Sequence, residues 1–471
     1  MDQKKDSGRA APFRLDPETK NNLLSALSPA GEEPGRRPRP AARRRPAGPR
    51  PGGLEEIPAY RHLMLQREVS VRLGVFDPFF PEHEGLAKGL TTIGGREFLN
   101  FSTYDYLDLN GHPQVNAAAA EAARLYGTSA GASRLVSGER PPHRRLERAL
   151  ADFCGTEDSL TYVSGYLTNL TVLSHLFGPD DLIAHDALVH NSLIAGAVAS
   201  GAARFAYPHN DLAALETYLA ENRFKFNRAV IVTEGLFSMD GSICPLPELA
   251  EMRARHQCFL MVDEAHSFGT LGLGGRGVKE HFQMPATVID IQMGTLSKTF
   301  CACGGFIAGS ARLIELLKFS SPGFIYSVGL SPPLAAASKA ALDLLLAEPE
   351  RVARLQRLGR FFLEGAWKRG LDTGRSQGYA VTPIMVGNSL VAGYLTEALH
   401  RRRVNVQPII YPVVEEGAAR LRFFISAAHK EEQLEQALDL VAEELPGARA
   451  RFEEVMAGDE VRALIAGRSS G

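Results

Sequence analysis

Tryptophan occurs once in 471 residues and cysteine only five times. Five cysteines without framework spacing cannot make the paired disulfide scaffold of a small secreted domain, which points to a reducing compartment, the cytoplasm. No apolar run approaches the length needed to span a bilayer. Residues 1–5 carry mixed charge with no apolar stretch behind them, unlike a secretory signal. An excess of one charge is missing too. Lys and Arg number 52 against 54 Asp and Glu, a net charge of -2, which argues against a protein that works mainly by gripping phosphate backbones. Finally, there is no Gly-x-x-x-x-Gly-Lys-Ser/Thr loop. Asp263-Glu264-Ala265-His266 spells the box of DEAH-type nucleic-acid ATPases, but without that loop the reading fails.

What is present suits a globular protein: 45% hydrophobic, 23% charged, and long enough for two or more folding units. Residues 33–53 are mostly Pro, Arg, Gly and Ala, too poor in apolar surface to fold, and read as a solvated linker behind one short helix over 15–27. From residue 57 the composition becomes globular. Helical spacing marks 145–153, 167–176 and 212–222. Short apolar runs bounded by turn residues mark strands at 229–232, 258–262 and 288–291. Strands alternating with helices imply an α/β fold with a mainly parallel sheet covered on both faces. After Pro332-Pro333 a helix over 334–345 leads into a second, smaller domain containing a strand at 420–425.

Each of the three predicted strands ends in a polar cluster. One runs into Thr233-Glu234-Gly235-Leu236-Phe237-Ser238, the next into Asp263-Glu264-Ala265-His266, and the last into Gly294-Thr295-Leu296-Ser297-Lys298. Ligands of open parallel sheets sit beyond the carboxyl ends of the strands, so Ser238, Asp263, His266 and Lys298 are expected to face one crevice. A lysine just past a buried strand can lose its proton and attack a carbonyl. An acid nearby can keep a pyridine nitrogen protonated. That pair is what a pyridoxal phosphate (PLP) enzyme requires, with the lysine carrying the cofactor as an imine. Ser164-Gly165-Tyr166 ahead of a helix offers free N–H groups to a phosphate, although the same pattern also serves as an ordinary N-cap. On residues alone, His190 reads as a satisfied core histidine and His209 as part of a turn. Cys301 and Cys303, with no partner cysteines nearby, read as small buried packing rather than a metal or redox site.

The order of motifs then becomes specific. Asn100-Phe101-Ser102-Thr103-Tyr104-Asp105-Tyr106-Leu107, Gly131-Ala132-Ser133-Arg134-Leu135, Ser164-Gly165-Tyr166 with Asn169, and His190-Asn191-Ser192 come first. Glu234-Gly235-Leu236-Phe237-Ser238-Met239-Asp240-Gly241, Asp263-Glu264-Ala265-His266-Ser267, Gly275-Arg276-Gly277, Thr295 to Lys298, Ala419-Arg420-Leu421-Arg422 and Ser426-Ala427-Ala428-His429 follow. Together they resemble the α-oxoamine synthase family of fold-type I PLP enzymes, over residues 57–445, and most of all its modules that accompany polyketide synthases. The resemblance implies an aspartate aminotransferase-like fold: an arm over 1–55, an N-terminal segment over 56–105, a large PLP-binding domain over 106–335, a small C-terminal α+β domain over 336–450 and a tail over 451–471.

By the same resemblance, Lys298 holds the cofactor and shuttles a proton, Asp263 pairs with the pyridine nitrogen, His266 bonds the ring's phenolic oxygen and His190 stacks on the ring. Gly165, Tyr166 and Thr295 hold the phosphate, with Ser327 donated from a neighbouring subunit of a homodimer that shares its active sites. Arg422 grips the substrate carboxylate with Tyr104 also on the substrate, and Ser238 joins the residues that bind the cofactor. The implied reaction is a decarboxylative Claisen-type condensation of glycine, alanine or serine with an acyl thioester, from CoA or an acyl carrier protein. The product is an α-amino ketone, released with CO2 and free thiol. Another fold-type I activity such as an aminotransferase is the alternative. Two departures are plain: Asp108 stands where several relatives carry glycine, and Glu415 where a proline is usual.

Overall fold

In the computed structural model, residues 52–458 are described, apart from 412 and 416. Residues 1–51 of the expected arm, with the predicted helix at 15–27, lie outside them. The chain divides into two compact units. One comprises Glu82–Ile384 and Arg422–Leu438, and the other takes in Met1–Pro81, Met385–Leu421 and Asp439–Gly471.

The larger unit is built on a seven-stranded sheet. Its strands are β1 (Asp158–Tyr162), β2 (Leu182–Asp186), β3 (Ala203–Tyr207), β4 (Ala229–Glu234), β5 (Phe259–Asp263), β6 (Ile291–Thr295) and β7 (Gly305–Gly309). They lie in the order β1-β7-β6-β5-β4-β2-β3. The five from β6 to β3 pair in parallel, and only β7 runs antiparallel to its neighbours. Strands covered on both faces need continuous rather than alternating apolar runs, which Val230-Ile231-Val232 and Leu260-Met261-Val262 supply, all fully buried.

The strand predicted at 288–291 is displaced. Pro285 caps a 3-10 turn, Ala286–Val288, and the strand begins only at Ile291. The Asp290 carboxylate accepts from Arg253 Nε at 2.6 Å and from Leu260 N at 2.8 Å, so pairing with β5 starts one residue later, at Met261 opposite Ile291. Val288 and Ile289 are buried, and burial is all their apolar character required. Lys298 therefore follows three residues after the strand's end at Thr295.

Two helices bring the site's residues together. Gly165–Leu176 and Asn191–Ser200 pack at Gly196, where an added Cβ would lie 2.8 Å from Asn169 O. Only glycine permits that approach. Elsewhere in the same unit, Phe424 N donates to Phe101 O (3.0 Å), Ser426 Oγ to Asp105 O (2.6 Å) and Ala427 N to Tyr106 O (2.8 Å). These bonds lay Arg422 and Phe424 alongside Tyr104 and Tyr106.

Asp108 takes the left-handed backbone, φ 58. That conformation explains why a glycine suits this position, and aspartate is among the few other residues that tolerate it. Lys88 Nζ lies 2.7 Å from its Oδ1, off the line of a hydrogen bond.

In the smaller unit, helix Ser389–Arg401 offers Tyr394, whose hydroxyl donates to Leu73 O at 2.9 Å. Arg451 covers the Tyr394 ring (4.2 Å to its centroid) and pairs with Glu397 at 2.7 Å. Among the described residues no helix is long and apolar enough to cross a membrane.

Candidate active site

Glu234, Asp263 and Thr295 are the last residues of three adjacent strands, and Glu234 and Asp263 are direct register partners. The sheet therefore delivers two carboxylates side by side at its carboxyl edge. Both are buried, and they carry different duties. Asp263 Oδ1 accepts from Ala265 N (2.9 Å) and Oδ2 from Asn169 Nδ2 (2.7 Å), so each oxygen is held by a neutral donor. Glu234 accepts from two backbone amides, His190 N (2.5 Å) and Ser238 N (3.3 Å). Burial, and then the Asp263 charge, push its carboxyl well above the usual range.

Lys298 completes the cluster. Its Nζ lies 5.6 Å from the centre of the Tyr104 ring, and no carboxylate among the described residues pairs with it directly. Part of the side chain reaches solvent, yet protein packs closely enough around the amine to desolvate it. Desolvation outweighs the pull of Asp263 and Glu234 and brings the amine from 10.5 down to about 8. A desolvated lysine of this kind is a competent nucleophile and proton carrier near neutral pH.

The two histidines differ. His266 is buried, with its ring stacked on Phe424 (6.1 Å, 9° between planes) and Nδ1 2.6 Å from the Tyr106 hydroxyl. Burial first, then Lys298, Arg422 and His190, hold it well below the ordinary histidine range, so the ring is neutral. His190 is exposed, as a face that stacks on a flat ligand must be. It caps helix Asn191–Ser200, its Nδ1 accepting from Ser192 N (3.2 Å) with Ser192 Oγ at 2.7 Å. Asn169 Nδ2 also reaches Ser192 Oγ at 3.0 Å. A continuous line of hydrogen bonds thus runs from Asp263 through Asn169 and Ser192 to His190.

Arg422 approaches from the other side. Its Nη1 lies 3.1 Å from Ser238 O and 3.3 Å from Met239 Sδ, and the guanidinium sits 4.5 Å over the Phe424 ring. Its Nε is buried without a partner. A fixed guanidinium with an unused donor is suited to a carboxylate.

At the start of helix Gly165–Leu176, Ser164 caps Leu167 N, and a Cβ on Gly165 would meet Thr295 Oγ1 at 2.8 Å. The glycine lets the hydroxyl and the helix's free N–H groups converge on one point. Tyr166 turns its hydroxyl to Asn191 Oδ1 (2.8 Å) and its ring edge toward His190.

Ser327 stands apart. It lies half-buried in the turn after helix Pro322–Ile325, and no described contact joins it to Lys298, Asp263 or Thr295. Cys303 is exposed and Cys301 half-buried, so the expectation of small buried packing fails for Cys303. The chain takes the left-handed backbone at Cys301, φ 55, between buried Phe300 and Ala302. His209 sits between the Asp186 carboxylate (3.0 Å) and Ser242 Oγ (2.8 Å), bracing a turn. Sequence reasoning assigned no role to Tyr106, Asn169, Ser192 or Glu234. All four lie inside the motifs that carried the resemblance, and only that placement marked them.

The residues fit PLP on their own geometry. Asp263 has both oxygens fixed for a pyridine nitrogen. The orphaned Nε of Arg422 awaits an acceptor, and the buried Oδ1 of Asn169 has none of its own partners. The Gly165–Thr295 cradle is shaped for a phosphate.

Known proteins point to one family. The family model described as aminotransferase class I and II matches residues 96–441. The 8-amino-7-oxononanoate synthase of Beijerinckia indica is 41% identical over 360 residues, covering 76% of this chain and 91% of that one. The enzyme of the same name from Geobacter sulfurreducens is 41% identical over 372 residues, 76% and 94% of the two chains. Among solved structures, a serine palmitoyltransferase from S. paucimobilis with a bound PLP–myriocin aldimine superposes with TM-score 0.81 at 27% identity, over 85% of this chain and 100% of that one. An 8-amino-7-oxononanoate synthase from Francisella tularensis gives 0.66 at 28%, over 75% and 99%.

Proposed function

The chain belongs to the class I and II aminotransferase family and within it to the α-oxoamine synthases, PLP-dependent C-acyltransferases of the decarboxylative Claisen type, and from that premise we propose how its own residues divide the work. The substrates are a small amino acid (glycine, alanine or serine) and an acyl thioester. Bound PLP supplies the electron sink that allows the amino acid's Cα–H to ionise. Lys298 would hold the cofactor covalently, and its Nζ is the atom that would carry the Cα proton, a task suited to an amine brought down to about 8. Asp263, its two oxygens held by Asn169 Nδ2 and Ala265 N, would pair with the ring nitrogen. His266 would bond the phenolic oxygen, and His190 would cover the ring face. Gly165, Tyr166 and Thr295 would hold the phosphate. Arg422, steadied by Ser238 O and Phe424, orients the substrate carboxylate, while Tyr104 closes over the Lys298 amine.

The convergence of Lys298, Asp263, His266 and Arg422 on one desolvated point carries this reading. Ser327 is assigned to the phosphate of a neighbouring copy in a homodimer. Its neighbours Tyr326 and Val328 are 84% and 50% exposed, an apolar surface suited to a second chain. A cytoplasmic setting and an acyl carrier protein as donor complete the proposal. The test supplies PLP with each amino acid and either acyl-CoA or acyl-carrier donor, and measures CO2 and free thiol. Amino-acid-dependent release of both supports the synthase. An oxo acid formed without thiol release supports an aminotransferase instead. Equal turnover of the two donors removes the carrier-protein assignment.

A further inference from the structure

We infer that Tyr106 is a positioning residue that fixes His266 as its Nε2–H tautomer, so that the ring presents a donor to the cofactor's phenolic oxygen. This rests on the PLP reading above and adds to it the device that decides which nitrogen carries the proton.

The argument is one of satisfying hydrogens. The Tyr106 hydroxyl and His266 Nδ1 are 2.6 Å apart, brought together from 160 residues away in the chain. Tyr106 is fully buried and His266 nearly so. The groups facing the imidazole are Lys298, Arg422 and His190, none of which favours a second positive charge, and burial acts in the same direction. Burial also drives the Tyr106 phenol well above its usual range, so its O–H stays intact. One proton is then shared by two ring nitrogens, and one hydroxyl hydrogen needs an acceptor.

Two arrangements are possible. If Nδ1–H donated to the phenol, the Tyr106 hydrogen would be buried without an acceptor, since His266 Nδ1 is its one described partner. If the phenol donates, every hydrogen is satisfied and Nε2 carries the ring proton. Leaving a buried hydroxyl unpaired is the costlier alternative. A flip of the ring in its own plane, which stacking on Phe424 would allow, does not evade the choice, because it carries Nδ1 away from Tyr106 and leaves the hydroxyl unpaired. An Nε2 lone pair would repel an electron-rich oxygen, whereas Nε2–H binds it. Tyr106 selects the second state without touching the cofactor.

The test uses full-length protein labelled with 15N-histidine, with and without PLP, and long-range 1H–15N correlation of the imidazole nitrogens. His266→Asn identifies the relevant signals. In the wild type, Nδ1 is expected to be unprotonated and Nε2 protonated through neutral pH. Tyr106→Phe, which keeps the ring and deletes the hydroxyl, is expected to mix the tautomers and weaken PLP binding about tenfold, the effect of one buried hydrogen bond. A wild-type Nδ1–H signal overturns the inference, as does a Phe variant with unchanged tautomer and PLP affinity. Should that variant fail to fold, the wild-type spectrum alone decides. A wild type that takes up no PLP overturns the reading of the site instead, and the tautomer result still stands or falls by itself.

Discussion

Asn169→Ala probes the least obvious support of the site. The side chain is buried, and its Nδ2 spans Asp263 Oδ2 at 2.7 Å and Ser192 Oγ at 3.0 Å. A hydrogen bond to a charged acceptor contributes about 1.5–3 kcal/mol and a neutral one about 0.5–1.5 kcal/mol. Removing Oδ1, a buried acceptor without a partner, offsets roughly 1 kcal/mol of that loss. The net expectation is a loss of about 1–3 kcal/mol, shared between folding and cofactor binding. Denaturant titration of the PLP-free protein reads the first share, and absorbance titration with PLP reads the second. A PLP affinity lowered about tenfold is expected, because Asp263 then keeps only the Ala265 amide. If both stability and PLP affinity stay within about twofold of wild type, the line from Asp263 to His190 has no energetic content.

Three further perturbations follow from the geometry. The folded Lys298 amine titrates at about 8 against 10.5 unfolded, so between these values the unfolded chain holds the extra proton and stability rises with pH. PLP-free Lys298→Met should therefore be more stable than wild type near neutrality, with the gap closing as pH climbs through that window in denaturation series. Arg422→Lys should raise the amino acid KM roughly 10- to 100-fold in steady-state assays, since lysine lacks the planar fork and loses one charge-assisted bond. Asp108→Ala should lower stability by about 1 kcal/mol relative to Asp108→Gly, because alanine resists the left-handed backbone. Thermal melts of the two variants would show it, and equal melting temperatures would refute the strain.

The sheet and its strand-end chemistry were legible because they rest on local signals. Leu260-Met261-Val262 can hardly be anything but a buried strand, and Asp263 at its end stands on the sheet's carboxyl edge, while Glu264 turns inward to Val278 N and Gln292. Val288 and Ile289 show the limit: apolar residues say that a segment is buried, while Pro285 and the tether of Asp290 to Arg253 decide that it turns. Asn169 and Tyr106 show another. Their partners lie 94 and 160 residues away, and no periodicity encodes a contact that only the packed sheet creates. His190 read as a core residue on its own, because nothing local reveals that its ring is exposed at the crevice while its backbone is fixed by Glu234. Asp108 posed a question in the sequence that its backbone angle answers.

The most direct test of the central claim is to load the purified protein with PLP, reduce it with borohydride and locate the adduct by peptide mass spectrometry, beside Lys298→Met. A yellow protein whose adduct lies on Lys298, and is absent from the variant, is the expected result. An adduct on another lysine, or a protein that remains colourless with PLP, would contradict the account.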